Sequence, residues 1–332
     1  METIDIIIPA YNCSDFLDNC LDSLVKQTYT AWKAILINDG STDEKTEELC
    51  NAWKKKDSRI EVIHFSTNKG VSAARNEGLR HAHSPFLTFL DSDDSLAPNH
   101  LESLMKSLTQ SGASIAMCGM TRCHHNGRHQ CKRSLLPKGT ILMQSDLYAL
   151  TVMDKILSSH LWNKLYRREL FSGIVFPEGR TYEDFAIMLE VMSRVKQLVH
   201  TGEASYFYRQ TSSGITHTSS LKNLQDFFLA AALRIEQIKA VPFLSAEIKN
   251  RLLVWPIKRM FKLFHTIRKA PESKERDWVL EQLTNTLLQC NIPIAIGAFR
   301  YQNICYSIQK RLFERDFFRQ LRQKDKGTST LS

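Results

Sequence analysis

The 332-residue sequence contains no long hydrophobic run. Its most apolar short stretch, IPIAIGAF at 292–299, falls far short of the roughly 18–20 apolar residues that a helix needs to cross a bilayer. The first residues, METIDIIIPAYN, lack the basic segment and the cleavage pattern of a secretory signal. These absences predict a cytoplasmic protein without a membrane span, and leave open peripheral docking on the inner face of the cytoplasmic membrane.

Paired cysteine spacing is also missing. The eight cysteines are scattered, which favours reduced thiols over a disulfide framework. One segment of fourteen residues does concentrate side chains that zinc can bind: Cys118, Cys123, His124, His125, His129 and Cys131. Their spacing matches no familiar zinc pattern and Cys118 falls in a predicted strand, so a polar loop is favoured over a zinc site.

Two glycine-rich nucleotide motifs are absent. No G-x-G-x-x-G follows the first predicted strand, which argues against a dinucleotide-dependent dehydrogenase. No G-x-x-x-x-G-K-[ST] occurs, which excludes a P-loop enzyme. The loop PAYNCSD at 9–15 has neither glycine nor a cation, unlike the glycine-rich, basic loop of sugar-phosphate nucleotidylyltransferases.

The net charge of +9 is concentrated in the last third of the chain. Residues 221–332 hold 20 Lys and Arg against 10 Asp and Glu, whereas residues 1–220 hold 24 against 25. This asymmetry indicates that the C-terminal region meets an anionic surface. Apolar and basic residues recur at helical spacing in 251–270 and 304–322. Two interpretations stay open: docking on an anionic membrane, or helices whose apolar faces pack on the rest of the protein.

Predicted strands alternate with helices at the start of the chain. IDIIIPA at 4–10 is a near-continuous apolar run, which is typical of a strand buried on both faces. The alternation predicts an α/β fold with a mostly parallel sheet flanked by helices. Further strands are predicted at 33–39, 60–65 and 85–91, with helices at about 14–27, from a Ser41–Glu44 capping box to about Trp53, and at 70–81.

Polar side chains follow all four predicted strands. They are the segment from Pro9 to Asn12, then Asp39, Asn68 and the segment from Asp91 to Asp94. In parallel sheets ligands bind beyond the carboxyl ends of the strands. We therefore expect one binding site, for a nucleotide, at this edge of the sheet.

Three carboxylates within four residues, Asp91, Asp93 and Asp94, directly follow the fourth strand. Like charges this close repel one another, and near a core they also lose hydration. A divalent cation would remove the repulsion, because Mg²⁺ and Mn²⁺ bind one or two carboxylates together with phosphate oxygens. The alternative is an acidic turn ahead of a helix at about 98–109. The position at a strand end favours the metal site.

Four segments resemble the family 2 inverting glycosyltransferases, which have the GT-A fold: IIIPAYN, LINDGSTDE, NKGVSAARNEGL and FLTFLDSDDSLAP. The likeness covers residues 4 to about 218, with WNKLYRREL at 162–170 and YED at 182–184 as weaker matches. It implies inverting sugar transfer from a UDP-sugar with Mn²⁺ or Mg²⁺. The chain has no Arg-Trp pair and thus no Q-x-x-R-W motif of processive synthases. This implies addition of one or a few sugars, as in bacterial lipopolysaccharide, O-antigen or capsule assembly.

The resemblance implies specific roles at the strand ends. Pro9, Ala10 and Tyr11 would line the nucleobase, with Tyr11 packing on uracil, and Asp39 would accept from the uracil ring N–H. The alternative for Asp39 is an ordinary Asp-Gly turn. Arg75 would contact the nucleotide or steady Asp39; the alternative is an exposed helix arginine.

The remaining implied roles concern the diphosphate and the metal. The metal pair would be Asp91 and Asp93, with Asp94 at the ribose or metal. Asp91 also belongs to the nucleotide site. The other residues assigned to the nucleotide are Asn68, Ser92, Lys164 and Arg209. Lys164 would reach a phosphate or the acceptor. Arg209 would close over the diphosphate together with His217, which would also be a further metal ligand. A flexible glycine loop is the alternative for the segment of Arg209 and His217.

A carboxylate on the acceptor side is predicted in GRTYEDFAIMLEVM at 179–192. The apolar spacing predicts a helix with Asp184 at its start. Glu183–Asp184 follows the aspartate cluster at about the distance at which this family places its catalytic Glu-Asp pair. Asp184 is the predicted base, and Glu183 would support it or contact the acceptor. The alternative for Asp184 is a helix N-cap.

Two regions are expected: a GT-A glycosyltransferase catalytic domain at 1–220 and a mostly helical, basic C-terminal region at 221–332, frayed from about 324. The expected activity is transfer of a hexose or N-acetylhexosamine from a UDP-sugar to a saccharide or lipid-linked saccharide. No nucleic acid is expected as a partner. The rival interpretation is a non-catalytic basic module that binds a nucleotide or a membrane.

Overall fold

The computed structural model describes residues 1–123, 129–133, 136–154, 156–210 and 220–289, and only the backbone of 129–133, 286, 288 and 289. These residues separate into two compact units. The first unit contains those of 1–147 and 158–217, and the second contains those of 148–157 and of the chain after 218.

Strands and helices alternate at the start of the first unit, as the sequence predicts. The predicted capping box is wrong, because Asp43 is the residue ahead of the second helix. The Oγ of Ser41 instead donates to Oδ1 of Asn38 at 2.6 Å, in the loop after the second strand. The elements are β1 (Ile4–Ala10), α1 (Leu17–Val25), β2 (Trp32–Asn38), α2 (Glu44–Lys56), β3 (Ile60–His64), α3 (Val71–His81) and β4 (Phe86–Phe89).

The remainder of the first unit contains shorter strands. A 3₁₀ helix at Arg168–Phe171 follows β10, and the helix α5 begins in the first unit and ends in the second. The elements are β5 (Ser95–Leu96), α4 (His100–Ser111), β6 (Ile115–Met117), β7 (Met120–Cys123), β8 (His129–Arg133), β9 (Ile141–Met143), α5 (Gln144–Met153), β10 (Lys164–Arg167), α6 (Glu183–Ser193), β11 (Gln197–His200) and β12 (Tyr206–Arg209).

The main sheet of the described residues has eight strands in the order β3-β2-β1-β4-β10-β6-β11-β9. Strand β1 lies between β2 and β4 and is parallel to both, with Ile4 opposite Trp32 on one side and Phe86 on the other. Its isoleucines are fully buried, which accounts for its near-continuous apolar sequence. β10 is antiparallel to β4 and β6, and β9 is antiparallel to β11. The prediction of a mainly parallel α/β sheet is confirmed.

A second sheet has the order β5-β12-β7-β8 among the described strands. Strand β12 is parallel to β7 and antiparallel to β5, so that Tyr206 lies opposite Leu96. Because β5 begins directly after the aspartate cluster, this pairing brings residues 206–209 beside Asp93 and Asp94.

The described part of the second unit is helical, as predicted. Helix α9 packs on α7 and α10 with buried Trp255, Met260 and Phe261, so the apolar side of the 251–270 stretch lies inside this unit. The 304–322 stretch and the tail from 324 lie outside the described residues. Within the described ranges, no helix is both long and apolar enough to span a bilayer. The helices of this unit are α7 (Leu221–Ala240), α8 (Ala246–Leu252), α9 (Val254–Arg268) and α10 (Lys274–Gln289).

Candidate active site

The carboxyl ends of β1 and β2 lie side by side. The backbone N–H of Asp39 donates to the carbonyl of Ala10 at 2.8 Å, which extends the strand pairing into the loops. Pro9 and Ala10 remain part of β1, and Ala10 is buried. Tyr11 is 44% exposed, and Asn12 follows it in the left-handed region with a φ of 46°. Of the three predicted nucleobase residues, Tyr11 therefore presents an accessible ring.

Asp39 ties the end of β2 to the loop ahead of α3. It is buried; its Oδ1 accepts from the backbone N–H of Lys69 at 2.7 Å, and its Oδ2 from that of Gly70 at 2.8 Å. The side-chain amide of Asn68 also donates to Oδ2, at 3.1 Å. Burial raises the pKa of Asp39, and the two backbone N–H groups oppose this shift. Two predicted nucleotide residues, Asp39 and Asn68, are thus in direct contact.

Arg75, in helix α3, joins two groups of carboxylates. Its side chain is 7% exposed; Nη2 donates to Oδ1 of Asp91 at 3.0 Å, and Nη1 donates to Oε1 of Glu183. Burial lowers the pKa of Arg75, but Asp91 and Glu183 raise it by more, so the guanidinium stays charged. The exposed-arginine alternative is therefore wrong. Among the described residues its hydrogen bonds go to these carboxylates and not to Asp39.

The three aspartates after β4 have different surroundings. Asp94 is 1% exposed; its Oδ2 accepts from the hydroxyl of Tyr206 and its Oδ1 from the backbone N–H of Arg209, both at 2.7 Å. Asp91 takes part in the arginine pair described above. Burial, and after it repulsion from Asp91, raises the pKa of Asp93 to about 6. Burial and repulsion from Asp93 and Asp91 also raise the pKa of Asp94. Asp94 therefore holds the second sheet to the cluster, whereas the Asp93 carboxylate has no side-chain donor among the described residues.

Of the predicted metal ligands, Asp93 fits best. In the described part of the chain no side chain donates a hydrogen bond to its carboxylate, and a cation would remove its repulsion from Asp91. Asp94 is less accessible for this role, because it is 1% exposed and each of its oxygens already accepts one hydrogen bond. His217 lies outside the described residues. Among the described side chains no group of three or more His, Cys, Asp and Glu is arranged to hold a metal ion.

Lys164 is not placed to contact a nucleotide or an acceptor. It is fully buried in β10, and its Nζ donates to the carbonyls of Ser158 and His160 at 3.0 and 2.6 Å and to Oδ1 of Asn163 at 2.7 Å. These bonds match the three donors of an ammonium group. In this arrangement the lysine holds segment 158–163 in place, and its ammonium is not exposed for the predicted phosphate or acceptor contact.

Glu183 and Asp184 open helix α6. The N-cap position is Tyr182, at a φ of 61°, so the N-cap alternative for Asp184 is wrong. The Glu183 side chain is 12% exposed and points to Arg75, whereas the Asp184 side chain is 27% exposed. The Oδ1 of Asp184 accepts from the backbone N–H of Phe185 at 2.6 Å. Asp184 is thus the more accessible carboxylate of the pair.

A stack of aromatic rings, not expected from the sequence, lies between the two groups of carboxylates. The ring centroid of Trp162 is 4.1 Å from that of Tyr206, 5.6 Å from that of Tyr208 and 4.9 Å from that of His160, with interplanar angles of 20°, 13° and 14°. Tyr206 also bonds Asp94, as described above. The one sequence signal is the i, i+2 spacing of Tyr206 and Tyr208, which places two rings on one face of a strand.

Two other predicted residues lie beside the aspartates. Arg209 donates from Nε to the backbone carbonyl of Asp93 at 3.0 Å, and its guanidinium lies 5.1 Å from the ring centroid of Phe16. Ser92 is half-buried in the same turn. Arg209 therefore places a positive charge next to the cluster, as the diphosphate role requires.

The segment with possible zinc ligands is described only in part. Cys118 is fully buried, its Sγ lies 3.9 Å from Nδ1 of His100, and burial raises the pKa of its thiol to about 11. The side chains of His124, His125, His129 and Cys131 lie outside the described residues.

Comparison with known proteins places this site in a family. The model of glycosyl transferase family 2 matches residues 5–175, just over half of the chain. The chain belongs to glycosyl transferase family 2. The matched range of this family contains the aspartate cluster and Arg75, and ends ahead of Glu183 and Asp184.

Family 2 relatives and solved structures extend the likeness. Glycosyltransferase GlyG of Streptococcus pneumoniae serotype 4 is 28% identical over 226 residues, which cover 65% of this chain and 74% of GlyG. A crystal structure of S. aureus TarS 1–349 in complex with UDP-GlcNAc has a TM-score of 0.71 at 19% identity, covering 95% of this chain and 92% of that one. Mannosyltransferase PcManGT from Pyrobaculum calidifontis, in complex with GDP-Man and Mn²⁺, has a TM-score of 0.54 at 14% identity, covering 93% and 86%. These likenesses establish the GT-A fold.

Arg75→Met is expected to destabilise this glycosyltransferase strongly. The change leaves the carboxylates of Asp91 and Glu183 without their shared cation, and removal of one partner of a buried ion pair costs about 3 kcal/mol or more. Denaturant unfolding at pH 7 measures the free energy of unfolding. Arg80→Met is the matched control, because Arg80 lies on the same helix with its side chain 64% exposed, and its change should stay within about 0.5 kcal/mol. Equal stability of the two variants would contradict the bridging role.

Proposed function

We propose that this glycosyltransferase moves a single hexose or N-acetylhexosamine from a UDP-sugar to a saccharide acceptor, with inversion at the anomeric carbon. The observation that carries the proposal is the arginine bridge, in which one guanidinium binds both Asp91 and Glu183. Asp93 and Asp184 are close sequence neighbours of these two residues. The carboxylate that we assign to the donor side and the one that we assign to the acceptor side thus contact the same guanidinium.

The edge formed by β1 and β2 is the proposed nucleotide side. The exposed ring of Tyr11 is available to pack on uracil, with Pro9 and Ala10 beside it. Among the described residues Oδ1 of Asp39 accepts from Lys69 alone, which leaves a lone pair for the ring N–H. The TarS complex with UDP-GlcNAc supports a UDP-sugar as the donor.

Asp93 and Asp91 are proposed to hold Mn²⁺ or Mg²⁺ together with phosphate oxygens of the donor. When bound, the cation would neutralise the charge that develops on the departing UDP. The PcManGT complex with Mn²⁺ supports this assignment. Arg209 adds a second positive charge on the protein side of the diphosphate.

Asp184 is proposed to accept the proton of the attacking hydroxyl. As the acceptor oxygen bonds to the anomeric carbon from the face opposite UDP, the bond between that carbon and UDP breaks and the proton passes to the carboxylate. Glu183 is held by Arg75 and would support Asp184 or contact the acceptor. The proposed setting is bacterial lipopolysaccharide, O-antigen or capsule assembly, with a saccharide or lipid-linked saccharide as acceptor.

A panel of donors tests the proposal. Purified protein is incubated with UDP-glucose, UDP-galactose, UDP-GlcNAc and UDP-GalNAc in the presence of Mn²⁺, with GDP-mannose as the control, and nucleotide release is measured with and without saccharide acceptors. We expect release of UDP from one of these donors. Binding of UDP without turnover of any donor would favour the rival function, a basic module that binds without chemistry.

We also propose that the basic side chains of α9 dock on an anionic membrane. Its apolar residues are buried inside the second unit, so docking would rest on charge, at about 1 kcal/mol per Lys or Arg near such a surface. At low salt the protein should sediment with anionic vesicles and stay in solution with neutral ones. A Lys262→Glu/Arg268→Glu variant, changed at two exposed positions, should lose this difference. Equal recovery of the wild type with both lipids would refute electrostatic docking.

A further inference from the structure

We propose that His160 is a positioning residue that orients the carboxylate of Asp184. This inference rests on the proposed function, in which Asp184 is the base. Nδ1 of His160 lies 3.7 Å from Oδ2 of Asp184, while Oδ1 accepts the backbone N–H of Phe185 at 2.6 Å. The two oxygens of the carboxylate thus face two different groups, one on the helix and one on the segment ahead of β10.

The surroundings of His160 fix its ring. Its imidazole stacks on Trp162 with the centroids 4.9 Å apart and the planes 14° apart. Its backbone carbonyl accepts from the buried ammonium of Lys164 at 2.6 Å. Trp162 is in turn stacked on Tyr206, whose hydroxyl is bonded to Asp94. A half-exposed ring is therefore held at both its face and its backbone, which is the arrangement that orienting a neighbour requires.

The separation of Nδ1 and Oδ2 is a few tenths of an ångström longer than a hydrogen bond. Hydrogen bonds of catalytic groups are commonly long in the free enzyme and shorten when substrate binds. In the loaded site Nδ1–H donates to Oδ2 of Asp184, and the remaining lone pairs of the carboxylate face the acceptor hydroxyl. His160 touches no reacting atom in this role, and acts through Asp184 alone.

Two single variants separate this role from a stacking role. His160→Phe keeps an aromatic ring on Trp162 but removes the donor, and His160→Asn keeps an N–H donor but removes the ring. With the UDP-sugar that the donor panel selects, His160→Phe should lower kcat by about 10- to 100-fold, with KM for the donor within about threefold, because small misplacements of a reacting group cost this much. His160→Asn should restore most of kcat. The opposite order, or wild-type kcat in both variants, would overturn the positioning role.

A double variant separates failure of this inference from failure of the proposed base. His160→Phe/Asp184→Asn should be no slower than Asp184→Asn alone, because a residue that acts through another adds nothing once the other is gone. Independent, multiplicative losses would overturn the positioning role and leave the base intact. Near-wild-type turnover by Asp184→Asn would instead remove the proposed base.

Nitrogen-15 spectra of the imidazoles give a test that needs no substrate. The imidazole signals of His160 are assigned by their absence from the spectrum of His160→Asn. In the wild type the neutral ring of His160 should carry its hydrogen on Nδ1, because the carboxylate of Asp184 attracts that N–H. In the Asp184→Ala variant the tautomer of His160 with its hydrogen on Nε2 should become more populated. A wild-type ring with hydrogen on Nε2 would overturn the inference whether or not a donor has been found.

Discussion

Asp93→Ala should abolish sugar transfer. Loss of this carboxylate removes a proposed ligand of the cation that stabilises the leaving UDP, a contribution of several kcal/mol that corresponds to a loss of about 1,000-fold in kcat. EDTA should likewise abolish the transfer activity of the wild type, and addition of Mn²⁺ or Mg²⁺ should restore that activity. The measurement is UDP release from the donor that the panel selects.

Two controls show whether the Asp93 effect is chemical. Asp22→Ala, on helix α1 with its side chain 45% exposed, should keep full activity. The Asp93→Ala protein should melt within a few degrees of the wild type, because no side chain in the described part of the chain donates to this carboxylate. Full activity of the wild type in EDTA would refute the metal assignment.

Asp184→Asn should lower kcat by about 100-fold or more, because an amide of the same size cannot take the proton of the acceptor hydroxyl. The variant should still bind UDP in the presence of Mn²⁺, since Asp184 lies at the start of α6 and is not part of the aspartate cluster. Steady-state kinetics with the selected donor and titration with UDP measure the two properties separately.

The control for Asp184→Asn lies on the same helix. Glu190→Gln changes a side chain that is 48% exposed and pairs with Arg194, so its kcat should match that of the wild type. If Asp184→Asn transfers sugar at a near-wild-type rate, the base lies elsewhere, and Glu183 is the next candidate. Its burial against Arg75 makes it less suited, because a base must meet the acceptor.

Local patterns were enough to predict the fold class and much of the candidate site. The continuous apolar run of β1 predicted a strand buried on both faces, and Ile4, Ile6 and Ile8 are fully buried. Polar residues at strand ends predicted one edge, where Asp39 and Asn68 are in contact. Both inferences use only the alternation of the chain, because parallel strands place all of their carboxyl ends together.

Contacts between distant parts of the chain could not be predicted in the same way. Asp94 has the same sequence context as Asp93, yet its partner Tyr206 is 112 residues away and reaches it through the pairing of β12 with β5. Lys164 lies in a motif that implied a phosphate contact, yet its ammonium is enclosed by carbonyls of its own segment. No periodicity in the sequence records such pairs.

The sequence by itself determined the strand–helix order, the edge at which the site forms and the residue types available there, because these depend on neighbours a few positions apart. Only the tertiary structure decided which carboxylate pairs with a cation, which is buried and accepts a hydrogen bond from a hydroxyl, and which stays accessible. Arg75 could be assigned to Asp91 and Glu183, 16 and 108 residues away, only once α3, the end of β4 and α6 had been placed together. The physical reason is that the charge state and freedom of a buried side chain depend on the groups packed around it, and those groups come from every part of the fold.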